Sequence, residues 1–149
     1  HWRGHSRDAM HTEMGGAMTQ SFFVPFVLPG LNEQLAGVRR EKWSRYNDEK
    51  HKIQLDIVLL IKKAKIKALV LPVELSFTWR EPNKRRDPGN IRTGEKYVSD
   101  ALVLAGIIGN DGWKQVRGFH DEFVVNPEAP GVYVTIKEVG AREGPLEAI

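Results

Sequence analysis

The residues best suited to chemistry lie in one stretch: Asp87 in Asp87-Pro88-Gly89-Asn90, then Lys96, Asp100-Ala101-Leu102, and Asp111 in Asn110-Asp111-Gly112. Two carboxylates from separated segments with a lysine between them are what a magnesium ion and a phosphodiester need together, because magnesium takes hard oxygen ligands and keeps several waters. Lys96 could offset charge developing on a phosphorane. Each residue also has a plain structural reading. Asp87 before Pro88 suits a helix N-cap, and Lys96 with Asp100 is an i,i+4 pair of roughly 0.2–0.5 kcal/mol.

The elements that must position these groups follow from pattern. Phe22 to Leu28 reads as a strand with Pro25 at an edge or bulge, followed by a loop carrying Leu31-Asn32-Glu33. About Arg40 to Lys65 contains no Gly or Pro and predicts a long amphipathic helix. Leu69 to Trp79 alternates, with Val73, Leu75, Phe77 and Trp79 on one face. A helix from Gly89 or Asn90 to Ala105 should end at Gly106 as its C′ residue. Strands near Lys114–Val125 and through Val132, Val134 and Ile136, joined by Asn126 to Gly131, suggest a hairpin. The fold class is α+β, a single domain with a mixed sheet and two main helices in the order β-α-β-α-β-β.

The chain has 149 residues and no cysteine, so it has neither disulfides nor thiolate zinc sites. Residues 1–17 read as a tag-like or disordered extension, His1 and His5 included, and 18–149 as the domain. The apolar runs are too short to span a bilayer, which points to a soluble, cytoplasmic protein without a membrane partner. Net charge is +3, unevenly spread. Arg39 to Lys96 carries 16 Lys/Arg against 8 Asp/Glu, and Tyr97 to Ile149 carries 4 against 8. Lys84-Arg85-Arg86 runs into Asp87, as suits an anionic substrate brought to a metal. These three, with Arg92, are the candidate DNA-contacting cations, and Lys84, Arg85 and Arg86, as exposed charges, should matter little to stability. His120 and Asp121 fall on opposite faces of a strand and read as surface or packed residues. Trp113 could stack on a base but reads as a core residue.

The stretch from Asn83 to Phe123 resembles the RusA family of Holliday junction resolvases, small endonucleases often encoded by phages and prophages. The likeness rests on Arg85-Arg86-Asp87-Pro88-Gly89-Asn90, Lys96, Asp100-Ala101-Leu102, Gly106, Asn110-Asp111 and Val116, with Leu28-Pro29-Gly30-Leu31-Asn32 resembling an early family loop. It implies that Asp87 and Asp111 bind magnesium, or manganese in its place, that Lys96 is the catalytic lysine, and that Asn90 and Asp100 support the site. It further implies a homodimer that resolves four-way DNA junctions in recombination and repair, cleaving phosphodiesters to 5′-phosphate and 3′-hydroxyl ends.

Gly89 departs from the family pattern, which has a metal-binding aspartate there. The loss should weaken metal binding, giving a weakened or inactive enzyme unless another ligand, such as Glu95, is borrowed. The alternatives are a non-catalytic branched-DNA-binding protein of the same fold, or a generic basic module binding RNA or protein.

Overall fold

The computed structural model describes residues 12–14, 17–40, 43–70 and 72–139. In chain order it contains β1 (Thr12–Met14), β2 (Ala17–Val24), α1 (Leu31–Arg40), α2 (Trp43–Lys63), β3 (Val73–Glu81), α3 (Pro88–Ile91), a 3-10 turn (Arg92–Gly94), α4 (Glu95–Leu104), β4 (Val116–Val125) and β5 (Gly131–Glu138). The class is α+β with a mixed sheet, as expected. Its strand order is β1-β2-β5-β3-β4. Of residues 1–17, set aside as tag-like, Thr12–Met14 pairs with β2 and Ala17 opens β2, while 1–11, 15 and 16 lie outside the described residues.

The alternation in β3 does what the pattern requires: Val73, Leu75, Phe77 and Trp79 are buried in one core with Val132, Val134 and Ile136 of β5, Ile57 and Ile61 of α2, and Val98, Ala101 and Leu102 of α4. Burying each of the larger side chains, Ala101 apart, contributes about 1.5–3 kcal/mol before conformational entropy is counted. α2 closes with the 6→1 bond from Ile66 N–H to the Ile61 carbonyl, around Lys65 at φ 59°. α4 closes in the same way around Gly106 at φ 77°, the C′ residue expected from sequence.

Four expectations need correction. The first strand ends at Val24, before Pro25, and does not continue to Leu28. The segment read as a loop at Leu31-Asn32-Glu33 opens a helix, α1. The helix expected from Asn90 to Ala105 is broken into α3, the 3-10 turn and α4. There Thr93 Oγ1 donates to the Asn90 carbonyl at 2.8 Å, and Gly94 packs so closely that a Cβ would lie 3.0 Å from that of Leu28. Finally, β4 and β5 do not form a hairpin. β4 runs parallel to β3, and β5 inserts antiparallel between β3 and β2, so the 126–130 connection passes the end of β3, where Asn126 N–H donates to the Glu81 carbonyl.

Candidate active site

α4 presents Lys96 and Asp100 one turn apart, and the loop after α4 returns Asp111 to them. Lys96 Nζ lies 2.6 Å from Asp111 Oδ2 and 3.2 Å from Asp100 Oδ1. Asp100 Oδ2 accepts a 2.9 Å hydrogen bond from Gln54 Nε2, an amide buried on α2. The hydrogen bond from Lys96 holds the Asp111 carboxyl below its ordinary range, against the opposing effect of partial burial. The same bond raises Lys96, with a further contribution from Asp100. Lys96 is therefore a charged ammonium shared by two carboxylates, on the exposed side of α4.

Asp87 sits at the N-cap of α3 with extended backbone, φ −78° and ψ 151°. Its carbonyl accepts from the N–H groups of Asn90 and Ile91, but its side chain makes no capping hydrogen bond. The cap reading thus accounts for the backbone of Asp87 and leaves its exposed carboxylate uncommitted to the helix. A Cβ on Gly89 would meet nothing within 4 Å, so the position is open to a side chain.

The backbone around Asp87 is fixed by a polar node joining two corners of the fold. Arg86 donates from Nε and Nη2 to both oxygens of Glu81, at 3.0 and 2.8 Å, and from Nη1 to the Leu28 carbonyl and Glu33 Oε1. Burial alone would lower the Arg86 pKa, but bonds to Glu81 and Glu33 outweigh it and raise the value. The Glu33 value is lowered: partial burial opposes ionisation, and the Gly30 N–H and Arg86 prevail. Asn90 completes the node, its Oδ1 accepting from Asn32 N–H at 2.8 Å. That oxygen serves the first turn of α1 as a cap side chain would, while Glu33 Oε1 accepts from Gly30 N–H as the reciprocal half of a capping box. Glycine is required at 30 because a Cβ would fall 2.5 Å from the Asn90 carbonyl oxygen.

The expected DNA-contacting cations separate accordingly. Lys84 and Arg85 are exposed. Arg86 has its guanidinium committed inside the fold, and the expectation that it matters little to stability is corrected. Arg92 Nε pairs with Asp121 Oδ2 at 3.0 Å, and Asp121 Oδ1 also accepts from Trp79 Nε1 at 2.7 Å. Asp121 is thus a packed residue on the Phe77 and Trp79 side of the sheet, while His120 on the other side is exposed beside Glu122. Glu95 accepts from Ser99 Oγ within α4. Trp113 is 80% exposed, which overturns its reading as core and leaves an indole in solvent two residues from Asp111.

Sequence reasoning missed Gln54, Glu81 and Glu33. Gln54 had a usable signal, a polar residue on the same helical face as Ile57 and Ile61. Magnesium is held by one or two carboxylates together with substrate phosphates, and Asp87 and Asp111 are the two that the resemblance offers it. The structure joins Lys96 to Asp111 and Asp100, and among the described residues no hydrogen bond or ion pair links Asp87 to them. Asp87 offers an uncommitted carboxylate and Asp111 one shared with Lys96. No three Asp, Glu or His side chains gather into a metal cage among the described residues. Nor is any helix among them long and apolar enough to cross a membrane.

No family model matches the chain, and no curated protein matches it. Solved structures align with it at low identity. A chain of the HypE-HypF complex is 11% identical, covering 87% of this chain and 35% of its own, with a TM-score of 0.37. The OmpA-like domain of FopA1 from Francisella tularensis subsp. tularensis SCHU S4 is 11% identical over 94% of this chain and 87% of its own, TM-score 0.35. Phosphoribosylformylglycinamidine synthase II from Thermotoga maritima is 12% identical over 94% and 22%, TM-score 0.37. This chain therefore spans about a third of the first of these chains and under a quarter of the last. Likenesses this weak carry no functional argument.

Proposed function

We propose that the chain is a structure-selective DNA endonuclease of the RusA type, acting as a homodimer on four-way junctions. The observation that supports this best is the 2.6 Å contact between Lys96 Nζ and Asp111 Oδ2. These residues are 15 apart in sequence, and the resemblance assigns both to one catalytic site. In this reading Asp87 and Asp111 hold a magnesium ion, which when bound neutralises phosphate charge and acidifies water. Lys96 keeps its proton and stabilises negative charge on the phosphate. Asp100, fixed by Gln54, orients Lys96. Lys84 and Arg85 hold flanking phosphates, and Trp113 offers a flat face to an unpaired base.

Gly89 favours a second reading, a branched-DNA-binding protein that keeps the fold and basic face but has lost a metal ligand. Both readings require tighter binding to a four-way junction than to linear duplex, with steep salt dependence in a mobility-shift assay. They part on products: the enzyme yields paired nicks with 5′-phosphate and 3′-hydroxyl ends, and the binding protein yields none.

A further inference from the structure

Beside Asp87 lies a concavity of about 230 Å³ whose apolar side has no role in the site described above. Its walls include Ile91 of α3 and Phe123 and Val125 at the end of β4, with Lys84, Asn83 and Asp87 also lining it. Phe123 stands opposite Trp79 in the sheet and packs against the core, so this wall is held in place. Val125 is 45% exposed, an apolar side chain in solvent at the strand's end. Asn83 Oδ1 accepts from Arg85 N–H at 2.9 Å, which leaves the amide NH2 of Asn83 as its donor. A hollow with one aromatic and aliphatic side, and a polar side of Asn83, Lys84, Asp87 and the paired Arg86 and Glu81, has the composition of a nucleobase pocket beside a phosphate site.

We propose that this hollow receives one nucleobase unstacked at the branch point, next to the phosphodiester at Asp87. The assignment rests on the junction reading above and deepens it, since it locates what distinguishes a branch from a duplex. In a continuous duplex every base is stacked, and drawing one out costs free energy. At a point of strand exchange with unstacked arms, the flanking base has a stacked neighbour on one side only, so less stacking is lost. The base would lie against Phe123 and Val125 and accept a hydrogen bond from Asn83, while Lys84 takes the neighbouring phosphate. Stacking and apolar contact of this kind are sequence-tolerant, so the pocket supplies selectivity for structure first and for base second.

The test compares two junctions, one intact and one with abasic sites at the bases flanking the exchange point, bound by the wild-type chain and by Val125→Phe, which fills the hollow. Val125→Phe should weaken binding of the intact junction about tenfold and leave the abasic junction unchanged. If the substitution weakens both junctions equally, or neither, the pocket assignment is wrong while the junction reading stands. Wild-type protein that binds junction and duplex equally overturns the junction reading and this assignment with it. Should Val125→Phe melt early, Asn83→Ala makes the same comparison at an exposed position, with a loss of about threefold expected on the intact junction alone. Equal effects of Asn83→Ala on both junctions again reject the pocket.

Discussion

Lys96 extends from α4 to within 2.6 Å of Asp111 in the following loop, and this one contact makes the charge state of each depend on the other. Replacing Lys96 with glutamine should raise the Asp111 pKa back toward the ordinary carboxylate value, followed by NMR titration of the Asp111 carboxyl. In the wild-type chain the Asp111 value is lowered, so the pair's stabilisation is present above the unfolded-state value of 3.8 and fades as pH falls through the depressed folded value. The Lys96 value is raised, so its contribution is present below 10.5 and fades as pH rises through the folded value. Both groups are substantially exposed, so Lys96→Gln should cost less than about 1 kcal/mol of stability. An Asp111 titration that does not move would show that the contact is not made in solution.

Arg86 and its neighbours should behave oppositely in stability and binding. Arg86→Ala leaves Glu81, 7% exposed, without its partner, and should destabilise the fold by on the order of 3 kcal/mol in chemical denaturation. Lys84→Ala and Arg85→Ala should each stay within about 0.5 kcal/mol. Together those two should lower the slope of log affinity against log salt for junction DNA by roughly 2. A mild Arg86→Ala with a large loss of binding would return that guanidinium to the phosphate-contacting set.

Asn90 offers a check on the node that fixes Asp87. Asn90→Ala removes the oxygen that accepts from Asn32 N–H, and should cost about 1 kcal/mol, the usual value of a helix cap. Amide exchange at Asn32 should accelerate in the variant. Unchanged exchange there would separate α1 from the Asp87 loop.

Trp113 should matter to DNA and not to folding. Because it is 80% exposed, Trp113→Ala should leave thermal stability nearly unchanged while weakening junction binding by about 1–3 kcal/mol. A lowered melting temperature with binding intact would restore it to a structural role.

The sequence was most legible where one element determines its own pattern. The Val73 to Trp79 alternation, the stretch without Gly or Pro in α2, and Gly106 at the end of α4 each carry their own signal. It was least legible where a partner lies far away in the chain. α1 was missed because its capping oxygen belongs to Asn90, 58 residues later, so Pro29-Gly30 looks like a plain turn. The supposed hairpin failed for a similar reason: Asn126 to Gly131 reports a turn but not the strand that β5 will join. Lys96, Asp100 and Asp111 were found from spacing and resemblance, whereas Gln54, whose partner Asp100 lies 46 residues on, was not. Arg86 was misjudged because a run of three cations gives no sign that one of them faces Glu81 and Glu33.

The most direct measurement is cleavage of a four-way junction by this chain beside Gly89→Asp, at matched protein concentration, with magnesium and with manganese. The open space at Gly89 and its place in the first turn of α3 mean that the acid should fold without strain. Wild-type protein should bind the junction and cleave it slowly on the enzyme reading, or not at all on the binding-protein reading. Gly89→Asp should then cleave faster, and Asp111→Asn in that background should abolish cleavage while sparing binding. No cleavage by Gly89→Asp under either metal, or restored cleavage that survives Asp111→Asn, would contradict a metal site at Asp87 and Asp111.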